Sequence, residues 1–121
     1  MSQAAAPLIA VIDDDESLRL ALAGLLRSLG YKGRGYGSAE DYLAAATGSD
    51  CILTDFHMPG LSGLELMQQL RRDGCRTPVI LMTARTEAGI RERALAEGAI
   101  CVLAKPFEAE QLIRCLERAL S

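Results

Sequence analysis

The stretch LIAVIDDDESL, residues 8–18, joins an apolar run directly to three aspartates and a glutamate. The run LIAVI (8–12) predicts a strand buried on both faces, and the leucines after it recur at helical spacing until Gly30. Carboxylates held a few ångströms apart disfavour each other's ionised form. We therefore expect this acidic cluster to be either diluted by water or neutralised by a cation.

Short apolar runs alternate with helical patterns along the rest of the chain. Three further runs have the character of the first: CILT (51–54), VILMT (79–83) and ICVL (100–103). Helical patterns open at Ser62, near Glu87 and near Glu108. Lys32–Tyr36 is a weaker strand because glycines interrupt it. The alternation predicts an α/β fold of five β/α units, doubly wound and flavodoxin-like, with a parallel sheet in the strand order 2-1-3-4-5.

Length, charge and cysteine content narrow the class of protein. With 121 residues the chain is predicted to be one domain, 1–121, with its core at about 8–120 and no output domain. A net charge of −3 without a basic block argues against direct contact with nucleic acid. No apolar run approaches the ~20 residues of a membrane span, and the first residues do not resemble a signal peptide. None of the 4 cysteines forms a C-x-x-C pair, which favours buried, reduced thiols in a cytoplasmic protein.

Polar side chains follow the predicted strands at the points where they end: Asp13, Asp14, Asp55, Thr83 and Lys105. Taken singly, each is also typical of a surface turn or a helix N-terminus, and Asp15 and Glu16 are interpreted as first-turn acids. The predicted strand order makes strands one and three neighbours at the switch point, where ligands bind in open α/β sheets. An oxygen-rich pocket lined by carboxylates suits Mg²⁺.

The motifs IDDDES, TDFHMPGLSGLEL, VILMTA and AKPF resemble, in order and spacing, the receiver domain of two-component response regulators, within the CheY-like superfamily. They span residues 8–107, nearly the whole chain. SAEDYL after the second strand makes the resemblance closer still to the FixJ-like branch, whose members often carry a C-terminal DNA-binding helix-turn-helix domain. The resemblance leaves two alternatives, a stand-alone receiver and a piece of a longer regulator.

The resemblance implies a role for each matching residue. Asp55 would be the phosphoacceptor, and Mg²⁺, which Mn²⁺ could replace, would bind Asp14, Asp55 and the backbone carbonyl of His57, with Asp13 acting through water. Lys105 would pair with the phosphoryl group, and Thr83 and Ala84 would belong to the phosphoryl-contacting switch. The partner would be a sensor histidine kinase or a phosphotransfer protein, and the outcome a changed surface of helix four, strand five and helix five, with a phosphorylation-dependent homodimer as a further expectation.

Some positions depart from the family pattern. Val102 stands where the family usually has an aromatic residue that follows the threonine on activation. His57 and Arg85 occupy positions that in the family tune the lifetime of the phosphate. His57 is the single histidine, and its side chain is interpreted as a rim group.

Two other classes of function are weighed against this one. Asp13, Asp15 and Ser17 loosely match the D-x-D-x-[TS] motif of haloacid-dehalogenase-type phosphatases, but no aspartate follows Asp73 to complete their Mg²⁺ site. A pure binding module is the other alternative. A flavin-binding domain would need a loop of backbone donors around the flavin phosphate. A receiver without its chemistry would lack one of the polar residues at the strand ends. GRGYG (33–37) is a weak dinucleotide motif, because it does not follow a strong strand.

Overall fold

The computed structural model describes residues 6–84 and 89–121, and within them strands and helices alternate strictly. The strands are β1 (Leu8–Ile12), β2 (Lys32–Tyr36), β3 (Cys51–Asp55), β4 (Val79–Thr83) and β5 (Cys101–Ala104). The helices are α1 (Glu16–Ser28), α2 (Ala39–Ala45), α3 (Gly63–Arg72), α4 (Ile90–Ala96) and α5 (Ala109–Leu120). All neighbouring strands are parallel and the order is β2-β1-β3-β4-β5, which confirms the predicted sheet.

Two apolar clusters cover the two faces of the sheet. Alternate residues of each strand point to opposite faces, so Ala10 and Ile12 of β1 belong to one cluster and Ile9 and Val11 to the other. The first cluster packs the sheet against α2, α3 and α4, and the second against α1 and α5. Every residue of β3 and β4 is buried, as the continuous apolar runs predict.

The helix ends agree with the sequence to within a residue or two. Asp15 is the N-cap of α1 and accepts a hydrogen bond from the Leu18 N–H at 3.3 Å, so only Glu16 lies in the first turn. Ser62 and Glu65 form a reciprocal capping box at the start of α3. The predicted start of the fourth helix near Glu87 lies outside the described residues.

The glycines of β2 mark the places where α1 packs closely on the sheet. A Cβ at Gly33 would lie 3.1 Å from the Ala23 Cα, and one at Gly35 would lie 3.4 Å from the Arg19 Cδ. The glycines that made this strand the weakest in the sequence therefore have a packing reason. Since GRGYG forms this strand and its end, it is not a phosphate-binding loop.

The four cysteines are free thiols, but they differ in environment. Cys51, Cys101 and Cys115 are buried, as predicted, and burial raises the pKa of Cys51 to about 12. Cys75 is only half-buried, and its Sγ lies 3.2 Å from the Thr77 Oγ1, which holds the pKa of this thiol below its ordinary value. The expectation that every thiol is buried is thus wrong for Cys75, because the turn after α3 lies at the surface.

Candidate functional site

Three carboxylates meet at the carboxyl edge of the sheet. Ile12 of β1 pairs with Thr54 of β3. The residues that follow them in the chain, Asp13 and Asp55, are therefore neighbours. One carboxylate oxygen from each of Asp13, Asp14 and Asp55 lies within 4.8 Å of the others. Asp13 and Asp55 are buried, with 1% and 7% of their surface exposed, whereas Asp14 is open to solvent. The predicted acidic cluster is therefore brought together by the strand order.

Lys105 places an ammonium group among these acids. Its Nζ donates to the Asp13 Oδ2 at 2.9 Å and lies 3.3 Å from the Asp55 Oδ1. The loop after β5 holds it there, since the Lys105 backbone N–H donates to the Thr83 carbonyl at 2.7 Å. The side chain is 21% exposed, so its ammonium is partly removed from water. One positive charge is shared between two buried negative charges.

The pKa values follow from this sharing. Burial raises the pKa of the Asp55 carboxyl above its ordinary value, the Lys105 ammonium opposes that effect, and the Asp13 charge adds to it. Burial alone would lower the pKa of Lys105, but the Asp13 and Asp55 carboxylates outweigh it and raise that pKa. Lys105 stays protonated and still compensates only part of the cost of ionising Asp55, because burial and the Asp13 charge together outweigh it and leave the pKa of Asp55 raised. A second cation would complete the neutralisation.

The chemistry of the donor set fits a hard divalent cation. Carboxylate oxygens are the ligands that Mg²⁺ prefers in proteins, and Asp14 presents one of them to solvent beside the two buried acids. The Asp13 side chain is already engaged on both oxygens, because Oδ1 accepts the Asp15 backbone N–H at 2.9 Å and Oδ2 accepts Lys105. Asp14 and Asp55 are therefore better placed than Asp13 to give an oxygen directly to a metal.

Thr83 and Val102 lie on the same face of the sheet. Thr83 ends β4, is 4% exposed and pairs in register with Ala104, while Val102 pairs with Leu81 two residues earlier. Side chains two residues apart on a strand share a face, so Thr83 stands at the rim with Val102 one step below it in the core. Ala84 follows Thr83 at the exposed edge. Arg85 lies outside the described residues.

His57 lies on the loop that follows Asp55. It is exposed, and its ring centroid lies 4.8 Å from that of Phe56. The side chain is thus at the rim, as interpreted from the sequence. The strand end before it is fixed by the Phe56 N–H, which donates to the Met82 carbonyl at 2.7 Å.

Arg19 and Gly63 support the site and were missed by the sequence analysis. The Arg19 Nη1 donates to the Asp13 carbonyl at 2.8 Å, which ties the first turn of α1 to the strand end. Gly63 begins α3 so close to β3 that an added Cβ would collide with the Asp55 carbonyl and lie 2.8 Å from the Leu81 Cδ2. Gly35 and Gly37 leave room for the Arg19 side chain. These two glycines are the sequence signal that could have indicated a role for Arg19.

An apolar groove of about 480 Å³ opens beside Lys105, between α1 and the start of α5. Its walls are mostly apolar side chains: Leu18, Ala21, Leu22, Leu25, Pro106 and Phe107. The groove thus places an apolar surface beside the lysine that contacts Asp13 and Asp55.

The rival phosphatase motif is not assembled. Asp15 caps α1 with its side chain and is not among the three acids whose oxygens converge. Asp55, which has no role in that motif, is central to the cluster instead. The geometry therefore separates Asp15 from the site.

Comparisons with known proteins place these features in context. A family model described as the response regulator receiver domain matches residues 9–117. The chain is 39% identical over 112 residues to the transcriptional regulatory protein FixJ of Azorhizobium caulinodans, covering 91% of this chain and 53% of that protein. It is 34% identical over 116 residues to the DNA-binding transcriptional regulator NtrC of Salmonella typhimurium, covering 94% and 25% respectively.

The fold is also similar to a solved structure. The crystal structure of FixJ-N superposes with a TM-score of 0.87 at 31% identity, covering 99% of this chain and 95% of that one. The chain spans about half the length of the FixJ relative and a quarter of the NtrC relative. Among the helices of the described residues, none combines the length and the apolar character needed to cross a bilayer.

Proposed function

The chain belongs to the response regulator receiver domain family, and from that membership we propose that Asp55 accepts a phosphoryl group from a phosphohistidine of a partner kinase or phosphotransfer protein. The observation that carries the proposal is the convergence of three carboxylates within 4.8 Å around one lysine. Such a cluster suits a reaction in which negative charge is brought to the site and must be neutralised.

Asp55 is favoured over Asp13 and Asp14 as the acceptor. Asp13 is held on both oxygens, and Asp14 is exposed to water. Asp55 ends β3, is buried and contacts Lys105 through Oδ1. A carboxylate that is fixed by its strand and shielded from bulk water meets the positional demand of an in-line nucleophile.

Mg²⁺ is the metal that the site would hold. Asp14 and Asp55 would ligate it directly, the backbone carbonyl of His57 would supply a third oxygen, and Asp13 would act through water. When bound, the ion supplies positive charge against the oxygens of the transferring group. That addition completes the neutralisation that Lys105 alone leaves unfinished.

The transfer conserves bonds and electrons. An oxygen of Asp55 forms a bond to phosphorus as the phosphorus–nitrogen bond of the phosphohistidine breaks, and the imidazole nitrogen keeps the electron pair. Lys105 pairs with a phosphoryl oxygen, and the Thr83 hydroxyl donates to another once the acyl phosphate exists. Attack by water later releases inorganic phosphate and restores the Asp55 carboxylate.

The groove beside Lys105 is the surface that we assign to the donor protein. The donor must present its phosphohistidine at Asp55, and this apolar groove adjoins the lysine that contacts Asp55. A helix carrying the phosphohistidine would bury apolar residues there while the imidazole reaches the acids.

Labelling by a small phosphodonor tests the proposal. With acetyl phosphate and Mg²⁺, mass spectrometry should find one phosphoryl group on the wild-type protein and on Asp15→Asn, a nearby control that keeps the helix cap. Asp55→Asn should remain folded and unlabelled, because an amide cannot form an acyl phosphate. A Mg²⁺-dependent adduct on Asp55→Asn at wild-type yield would show that another residue is the acceptor.

A further inference from the structure

The loop between β3 and α3, residues 56–62 and hereafter the β3–α3 loop, is fastened near its C-terminal end by a side chain from another element. The Leu61 backbone N–H donates to the Oε2 of Glu40 at 3.0 Å, although the two residues are 21 positions apart. At the base of the loop, the Gly63 N–H donates to the Phe56 carbonyl at 3.0 Å. Within the described residues, no backbone–backbone hydrogen bond involves positions 57–60. The contact with Glu40 therefore ties the C-terminal end of this loop to α2, in addition to the packing of Met58 and Leu61 on the first core cluster.

Gly60 lets the Glu40 carboxylate approach the loop. Its φ is +78°, a left-handed conformation that favours glycine. A Cβ at Gly60 would collide with the Glu40 Oε2. The sequence thus provides both halves of the contact, a carboxylate that reaches the loop and a residue without a side chain where it arrives.

Glu40 projects from a helix that is itself firmly placed. Its neighbours Ala39 and Tyr42 are buried, with 0% and 5% of their surface exposed, and Ser38 caps α2 by accepting the Asp41 N–H at 3.0 Å. The Leu61 N–H lowers the pKa of the Glu40 carboxyl, so this side chain is an ionised acceptor at neutral pH. A side-chain oxygen acceptor on a fixed helix can hold this end of the loop in one position.

We propose that Glu40 is a positioning residue that holds the β3–α3 loop in place and thereby sets the Mg²⁺ affinity of the acidic site without touching the ion. The inference rests on the proposed function, in which His57 of this loop gives a backbone carbonyl to Mg²⁺. Mg²⁺ tolerates little departure from octahedral geometry, so a ligand on a loose loop binds it less well. Glu40 belongs to the SAEDYL motif, to which the receiver chemistry gives no role.

The experiment compares Glu40→Ala, Glu40→Gln and Asp41→Asn in the full chain. Glutamine keeps an oxygen acceptor for Leu61, and Asp41 is an exposed acid of the same helical turn, so its substitution controls for the loss of charge. Two readouts are taken: amide hydrogen exchange at Leu61 without metal, and the Mg²⁺ dissociation constant by titration of amide chemical shifts. Glu40→Ala should speed exchange at Leu61 at least tenfold and raise the dissociation constant about five- to tenfold. Glu40→Gln and Asp41→Asn should stay within about twofold of wild type.

Each contrary result has a separate meaning. Unchanged Mg²⁺ affinity in Glu40→Ala, with faster exchange at Leu61, would overturn the positioning role alone. Equal losses of affinity in Glu40→Ala and Asp41→Asn would assign the effect to charge and overturn it as well. Failure of the wild-type protein to bind Mg²⁺ at all would overturn the proposed function and this inference with it.

Discussion

Thr83 and Val102 differ in what they can contribute to a switch. The Thr83 hydroxyl is at the rim and can donate to a phosphoryl group, which adds about −1.5 to −2 charge at Asp55. Val102 is stiff about χ1, has no hydroxyl and is 7% exposed in the cluster under α3 and α4. A small branched side chain cannot swing into space that Thr83 vacates. Under the proposed function, we therefore expect the response to travel through the backbone of β4.

Substitution at these two positions should separate switching from packing. We expect Thr83→Ala to abolish the response of α4 and β5 to Mg²⁺ with beryllofluoride, because the contact with the phosphoryl mimic is lost. Val102→Ala should keep the response and lower the free energy of unfolding by about 1–3 kcal/mol, as a truncated core residue does. Backbone amide spectra and urea unfolding measure the two effects. A responsive Thr83→Ala beside an unresponsive Val102→Ala would contradict this division.

The sequence predicted the site residues that stand at the ends of strands. It missed the residues whose long side chains extend from one element to another. The pattern of strands alone is enough to pair Asp13 with Asp55, because strand ends in a parallel sheet meet at one edge. Arg19 and Glu40 act by spanning from one element to another, and helical spacing says nothing about where a long side chain ends. The sequence indicates these contacts only through the glycines that make room for the two side chains.

Among the elements, the junction of β3 and α3 leaves the least space. Gly63 begins α3 directly against the Asp55 carbonyl and the Leu81 side chain, whereas Gly24 in the middle of α1 faces only the tip of Arg27, 3.9 Å from an added Cβ. Substitution of glycine by alanine should therefore change the stability of the protein in opposite directions at Gly63 and Gly24.

We expect Gly63→Ala to destabilise the protein by about 1–3 kcal/mol, because an overpacked junction must move backbone. Gly24→Ala should stabilise it by about 0.5–1 kcal/mol, since alanine is the better helix former and meets no obstacle. Urea unfolding with both variants gives the comparison. A neutral or stabilising Gly63→Ala would mean that α3 can withdraw from β3 at no cost.

The sequence pattern predicts the strands to within a residue, but their exact ends depend on pairing with neighbouring strands. β3 extends one residue beyond CILT to include Asp55, and β5 begins at Cys101 instead of Ile100, because the ladder with the neighbouring strands decides where pairing ends. β2 was the weakest strand in the sequence because its glycines resemble a loop. Their reason is the approach of α1, a tertiary contact that a local pattern cannot display.

For the whole molecule, the fold was predictable because alternating buried strands and amphipathic helices permit few topologies. Within residues 6–84 and 89–121, the same topology creates a charge imbalance at the sheet edge, where the carboxylates of Asp13, Asp14 and Asp55 lie beside the ammonium of Lys105. A divalent cation that binds the folded state and not the unfolded chain shifts the folding equilibrium by mass action.

We expect Mg²⁺ at 100 times its dissociation constant to raise the free energy of unfolding by about 2.7 kcal/mol. Asp14→Asn should remove most of that gain because it deletes a ligand. Asp15→Asn should keep it, because asparagine preserves the cap of α1 and the side chain stands outside the cluster. Urea unfolding with and without Mg²⁺ measures the difference. The same loss in both variants would mean that the ion binds the acidic stretch diffusely.

The polar side chains of the site stand at strand ends, while the solvent side of the helices carries residues such as Leu20, which is 66% exposed. This separation has an evolutionary consequence. After gene duplication, one copy can change its outer helix faces step by step without losing a working acid cluster. Under the proposed function, such copies would keep one phosphoryl chemistry and differ in the donor that they accept. Under that same function, the α1 wall of the groove beside Lys105 is the part of the outer surface where such substitutions would alter the choice of donor.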